Sequence, residues 1–329
     1  MYSNAQEAVC VVERVLAQET RLQGRSVVSL KDWSPAEIKQ ALMTAKWMKV
    51  NPKVAEIQYA LKGKSVAMIF ELPSTRTRVS FQVAIQSLGA APVILDWQDS
   101  QLGRGEPIED TARVLSRYVD AMVVRAKNHD MVQSLQKWAT VPVFNALTDM
   151  AHPFQVLADA LTIWEHVGYL SGAKLAYVGD GNNMANSYLV VGAKLGMHVH
   201  IACPEEWQPP ADVVAYAKAE AEMTGGSVLL TTDPEKAVYG VDAVATDVFV
   251  SMGDEDSMRK RKALAPYQVN TALMENAKST AIFLHCLPAH RGEEVTEDVL
   301  EGRQSVIFDE AENRLHVQKS VLYHTLAEF

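Results

Sequence analysis

"SVAMIFELPSTRTRVSFQVAIQSLG", Ser65–Gly89, holds the fold in miniature. Ser65–Phe70 reads as a buried strand. Pro73 closes it, and the stretch from Ser74 to Gly89 reads as a helix. The helix opens on five consecutive donor residues, Ser74, Thr75, Arg76, Thr77 and Arg78. A helix N-terminus exposes unpaired backbone N–H groups and the positive end of its dipole, so an oxyanion is favoured there. Hydroxyls add short hydrogen bonds, and an arginine adds a planar fork matched to phosphate. Ser74 alone would fit an ordinary capped helix; the run of five favours an anion site. Arg78 is expected to face back into the lobe or an ion pair. No G-x-x-x-x-G-K-[ST] is present at this turn, so it is not a nucleotide P-loop.

The same strand–helix rhythm continues outward. "APVILD" (Ala91–Asp96), "AMVVRA" (Ala121–Ala126) and "VPVFNA" (Val141–Ala146) read as buried strands. "SPAEIKQALMTAKWMKV" reads as a helix with Ser34 at its N-cap and Pro35 at its first position. "IEDTARVLSRYV" and "MVQSLQKWA" supply two more helices. The second half repeats the rhythm with "KLAYVGD", "HVHIACP", "SVLLTTD", "DAVATDVF" and "TAIFLHCLP" as strands. "HPFQVLADALTIWEHVG" reads as one long helix joining the halves. The expectation is an α/β chain of two lobes, each a parallel-stranded sheet flanked by helices, joined by long helices and separated by a cleft. Open parallel sheets bind ligands beyond the carboxyl ends of their strands.

The bulk numbers limit what can bind. The 329 residues are 48% hydrophobic and 22% charged, with a net charge of −9. A general nucleic-acid binder is disfavoured, so a basic site must be local. Three cysteines far apart suggest neither a disulfide framework nor a zinc spacing, which fits a reducing compartment. No apolar run approaches membrane-spanning length, and Glu7, Glu13 and Glu19 argue against a leader peptide. Ala8, Val11, Val12, Val15 and Leu16 fit one face of an N-terminal helix. A cytoplasmic protein is expected.

Four further segments carry polar groups at strand ends. "VGDGNNMANS" follows a strand and opens a helix but lacks the third glycine of a dinucleotide fingerprint. Its Asn182 and Asn183 suit a carboxylate or an amino group. "HPFQ" places His152 and Gln155 at i and i+3, suited to a carbonyl oxygen and an NH2 group. "ATDVFVSMG" puts Asp247 near a strand end, ahead of Ser251 and Met252. "FLHCLP" ends an apolar strand in His285, Cys286 and Leu287. An inert buried cysteine is the commoner case. Each segment alone is weak.

In this order, "STRTR", "HPFQ", "DGNN", "DVFVSMG" and "HCLP" resemble the aspartate/ornithine carbamoyltransferase family, from about Trp33 to the C-terminus. "SMG" with "HCLP" is similar to the ornithine branch. The resemblance implies that residues 1–149, with a returning C-terminal helix over 314–329, bind carbamoyl phosphate, and that 150–313 bind L-ornithine. Three chains, or a multiple of three, would form the assembly.

The resemblance further implies roles for individual residues. Ser74, Thr75, Arg76 and Thr77 would hold phosphate, with Gln101 reaching the ligand from a neighbouring subunit. Arg125 would bridge phosphate and carbonyl oxygen, and His152 and Gln155 would orient the carbamoyl group. Cys286, Leu287 and Arg314 would complete that side. Asn183, Asp247, Ser251 and Met252 would grip ornithine. Arg76, Arg125, His152 and Cys286 are the expected catalytic residues, with no metal or cofactor. Another amine as acceptor, such as putrescine or a specialised diamino acid, and a non-catalytic relative, are the alternatives. Many ornithine enzymes read "FEK" where this chain reads "FEL", with Leu72.

Overall fold

The computed structural model describes residues 22–97, 100–250 and 257–328. The expected N-terminal helix, and Ser251 and Met252, lie outside them. Two parallel sheets organise the chain. The first runs in the order β2-β1-β3-β4, from strands β1 (Ser65–Phe70), β2 (Ala91–Asp96), β3 (Ala121–Arg125) and β4 (Val143–Leu147). The second runs β7-β6-β5-β8-β9, from β5 (Lys174–Val178), β6 (His198–Ala202), β7 (Ser227–Thr231), β8 (Ala243–Thr246) and β9 (Ile282–His285). Strand order reverses at β1/β3 in one sheet and at β5/β8 in the other. Those are the points where a parallel sheet opens a crevice at its carboxyl edge.

Local chemistry explains the element ends. Ser34 accepts from the Glu37 backbone N–H, and the Glu37 side chain accepts from the Ser34 N–H, so the Pro35–Val50 helix opens on a reciprocal cap. Gly168 and Gly225 close the Pro153–Val167 and Ala211–Thr224 helices in the left-handed conformation that glycine adopts without a Cβ clash. The helix read through Val119 ends earlier, at Leu115, where Ser116 caps it.

The expectation that "APVILD" is buried is wrong. β2 is an edge strand, and Val93 and Ile94 are exposed at 39% and 40%. Pro92 fits that place, since an edge strand needs fewer backbone donors. The other first-lobe strands are buried as read.

The Ile307–Leu326 helix packs along the Pro153–Val167 and Pro35–Val50 helices and the Thr75–Ser87 helix. Ser320 Oγ donates to the Ala41 carbonyl, and His324 pairs with Thr44 Oγ1. Phe81 meets Phe154 edge-on at 4.9 Å. One continuous core therefore crosses from lobe to lobe beneath the cleft.

Candidate active site

The turn after β1 begins the Thr75–Ser87 helix with Ser74 at its N-cap, yet Ser74 makes no capping hydrogen bond. Its Oγ instead accepts from Arg125 Nη1 at 2.9 Å. Register explains the meeting: Phe70 and Arg125 are partners at the ends of adjacent strands. Thr77 is buried and accepts from Arg314 Nη2 at 2.7 Å. The helix therefore keeps its first backbone N–H groups clear of the Ser74 side chain and collects two arginines beside them. Arg78 turns away to pair with Asp96, as expected.

Across the cleft, Arg76 Nη2 donates to the Leu287 carbonyl at 2.6 Å. Cys286 Sγ donates to Asp247 Oδ1 at 3.2 Å. Asn182 caps the Asn183–Lys194 helix, and its Nδ2 donates to Asp247 Oδ2 at 3.0 Å. Asn183 Nδ2 donates to the Thr148 carbonyl at 2.7 Å. At Gly181 a Cβ would collide with the Trp207–Pro209 backbone, so only glycine lets that segment close the far wall.

These groups line one cavity of about 800 Å³, bounded also by Leu72, Thr75, Lys127, Asp180, Trp207, Lys260 and His290. Both lobes contribute to its walls, and neither encloses it alone. Lys260 pairs with Asp180 at 2.6 Å and lies 5.0 Å from the Trp207 ring, a buried ion pair the sequence did not suggest.

The electrostatics are one-sided on the first lobe. His152 is buried and held well below its ordinary pKa, by burial first and then by Arg314, Arg125 and Arg76. Burial, with like charge from Arg76, lowers Arg125 to about 10. Burial likewise lowers Arg314 to about 10. Arg125 Nε, Arg314 Nε and His152 Nδ1 are buried with no hydrogen-bond partner in the protein. Such groups are costly unless a ligand meets them. On the other wall, burial pushes the Cys286 thiol well above its usual range, aided by the negative charges of Asp247 and Glu310. It is a protonated donor and not a thiolate.

Two expected residues lie off the cleft. Gln155 is fully buried behind His152, and its Nε2 donates to Asp159 Oδ1 and Glu310 Oε1, each at 2.8 Å. Its Oε1 has no protein partner. Gln101 begins the turn Leu102–Arg104 and lines a separate crevice of about 500 Å³ along β2. The remaining expected residues within the described segments, Ser74, Thr75, Arg76, Thr77, Arg125, His152, Asn183, Asp247, Cys286, Leu287 and Arg314, all line the main cavity.

Family models match both lobes. Residues 25–165 match the aspartate/ornithine carbamoyltransferase carbamoyl-P binding domain, and 171–325 match its Asp/Orn binding domain. An ornithine carbamoyltransferase of Pyrococcus abyssi is 52% identical over 302 residues, 92% of this chain and 95% of that one. The structure of the Pyrococcus furiosus ornithine carbamoyltransferase superposes with a TM-score of 0.90 at 50% identity, covering 93% of this chain and 98% of that one. The Gloeobacter violaceus ornithine carbamoyltransferase gives 0.84 at 44% identity over 94% and 100%. With both lobes matched and identity at this level over nearly the whole length, the chain belongs to the aspartate/ornithine carbamoyltransferase family.

Proposed function

We propose that this chain transfers the carbamoyl group of carbamoyl phosphate to the side-chain amine of L-ornithine, giving L-citrulline and phosphate. The observation that carries the reading is the convergence of the Ser74–Thr77 turn with Arg76, Arg125, Arg314 and His152. All line one cavity, and Arg125 Nε, Arg314 Nε and His152 Nδ1 are buried there without a protein partner.

In the reaction, a neutral δ-amine attacks the carbamoyl carbon. Negative charge grows on the carbonyl oxygen and then on the departing phosphate. Thr77, Arg125 and Arg314 are donors already fixed where that charge develops, and Arg76 joins them from its contact with the Leu287 carbonyl; donors fixed in advance do most to lower the barrier in catalysis of this kind. His152 is neutral, so it acts toward the carbonyl oxygen as a hydrogen-bond donor and not as a cation. Alignment of the two substrates supplies much of the remaining acceleration. Asp247 and Asn183, with Ser251 and Met252, grip the amino-acid end of ornithine. The Cys286 thiol donates to Asp247, holding that carboxylate in place, and forms no covalent intermediate.

Carbamoyl phosphate falls to residues 1–149 with the returning 314–329, and ornithine to 150–313. The chain works in the cytoplasm as a homotrimer or a multiple of trimers. Exposed Val93 and Ile94 on the open edge β2, with Val79 and Val83 on the neighbouring helix, support such a contact, since an uncovered apolar edge invites association. Gln101 lies beside that edge and would serve the neighbour's site.

The test is citrulline formation from carbamoyl phosphate with ornithine, set beside putrescine, lysine and aspartate as acceptors. Preference for putrescine would refute the ornithine assignment. No product with any amine would refute carbamoyl transfer.

A further inference from the structure

His285 closes β9 and is buried, at 1% exposure. Its backbone N–H and both ring nitrogens are engaged. The backbone N–H donates to Glu310 Oε2 at 2.7 Å. The Leu287 N–H donates to its Nδ1 at 2.9 Å. A backbone N–H can only donate, so Nδ1 is an acceptor and Nε2 carries the ring proton. That Nε2–H donates to Glu294 Oε1 at 3.1 Å. Glu294 is fully buried, and the same oxygen accepts from the His290 N–H at 2.6 Å. One imidazole thus ties the start of the Cys286–Glu294 loop to its end.

The clamped residue is an unusual one. Leu287 has φ of 58°, the single positive value among described residues other than glycine. A Cβ-bearing residue stays in that region only when its surroundings impose it, and such residues gather at functional sites. The result of the twist is visible across the cleft, where the Leu287 carbonyl meets Arg76 of the opposite lobe at 2.6 Å. A backbone carbonyl facing this cavity is an acceptor among donors.

We propose that His285, braced by Glu294, is a positioning residue. It holds the Leu287 carbonyl as the acceptor for N–H groups of the reacting carbamoyl and amine nitrogens. This rests on the carbamoyl-transfer reading. As the amine attacks, its nitrogen gains positive charge and its N–H groups become stronger donors. A fixed carbonyl is then bound more tightly in the transition state than in the ground state, which is the condition for acceleration. Arg76 occupies the carbonyl in the free protein and is released from it when phosphate draws the guanidinium back to the Ser74–Thr77 turn.

Four variants of the full chain test this: His285→Phe, His285→Asn, Glu294→Ala and Glu294→Gln. Asparagine can place Oδ1 where Nδ1 stands and accept the Leu287 N–H as in an Asx turn, losing only the Glu294 contact. His285→Phe is expected to lower kcat/KM for citrulline formation roughly 100-fold, the scale of losing one preorganised polar contact. His285→Asn should recover about tenfold of that loss. Glu294→Gln, which keeps a carbonyl acceptor, should outperform Glu294→Ala. Binding of inorganic phosphate by calorimetry should be retained or tightened in all four, because the Ser74–Thr77 turn is untouched and a loosened Leu287 carbonyl frees Arg76. If His285→Phe fails to fold, the other three carry the same comparison.

Folded Glu294→Ala and His285→Asn with wild-type kcat/KM would overturn the inference alone. So would an activity loss matched by an equal loss of phosphate affinity, the mark of general damage to the fold. A wild-type chain inactive with every amine would overturn the carbamoyl-transfer reading, and this one with it.

Discussion

Arg125→Met separates what the site does from what the fold needs. Arg125 Nη1 donates to Ser74 Oγ, and its buried Nε has no protein partner. Removing one such preorganised donor costs about 3 kcal/mol in barrier, about 150-fold in kcat/KM. The effect on stability runs the other way. Burial and Arg76 lower Arg125 from 12.5 to about 10, which is about 3 kcal/mol against the charged form in the free protein. Methionine keeps much of the volume and removes that charge. The lost Ser74 contact offsets part of the gain, so Tm without ligand should hold or rise. Phosphate then reveals the site by linkage. At about 100 times its wild-type Kd it should stabilise the wild type by about 2.7 kcal/mol. A variant binding about 100-fold more weakly should gain only about 0.4 kcal/mol. The assays are steady-state citrulline formation and thermal unfolding with and without phosphate. Wild-type kcat/KM with an undiminished phosphate shift would refute the anion-site assignment. A collapse of Tm without ligand would show that Arg125 holds the lobe together instead.

Iodoacetamide should modify Cys286 slowly at neutral pH, with a rate still rising above pH 9.0, because burial and Asp247 keep the thiol protonated; a plateau near neutrality would contradict this. His152 is neutral in the fold but takes up a proton in the unfolded chain below about 6.5, so its contribution to stability is present above that pH and lost as pH falls. His152→Gln should accordingly flatten the acid side of a Tm-versus-pH curve, and an unchanged curve would count against a buried neutral imidazole. Leu72 lines the cleft beside Pro73 and Ser74. Leu72→Lys should lower the KM for carbamoyl phosphate about fivefold at low ionic strength, about 1 kcal/mol after solvent screening, and less in high salt. A KM indifferent to the change at every salt concentration would make position 72 silent.

Which parts are legible in the chain follows from how far each cause reaches. The cap at Ser34, Pro35 and Glu37 is complete within four residues, so the residues themselves disclose it. The strand Ser65–Phe70 and the turn that follows are equally local. β2 is not legible in the same way, because an apolar run buried by its own core and one left at an edge for another surface have the same composition. Helical spacing pairs His152 with Gln155, but His152 is the N-cap, with φ of −129°, and stands outside the helical phase that the spacing assumes. The one therefore faces the cleft while the other turns into Asp159 and Glu310. Asn182 suits a ligand by its chemistry, though the backbone N–H groups of Met184 and Ala185 claim its oxygen first.

The His285 network lies beyond any such reading. Its partners stand 9 and 25 residues away, one on a loop and one on the returning helix. No periodicity in the chain relates them. What brings them together is the parallel placement of β9 beside β8 and the course of the Ile307–Leu326 helix back across both lobes. That helix carries Glu310 and Arg314 one turn apart. Glu310 reaches the His285 N–H of the second lobe, and Arg314 reaches Thr77 of the first. One turn of this helix thus contacts both walls. The anion-binding donors of one lobe and the strand end of the other are therefore tied through a single helical turn, which brings both to the one cavity where the two substrates must be aligned.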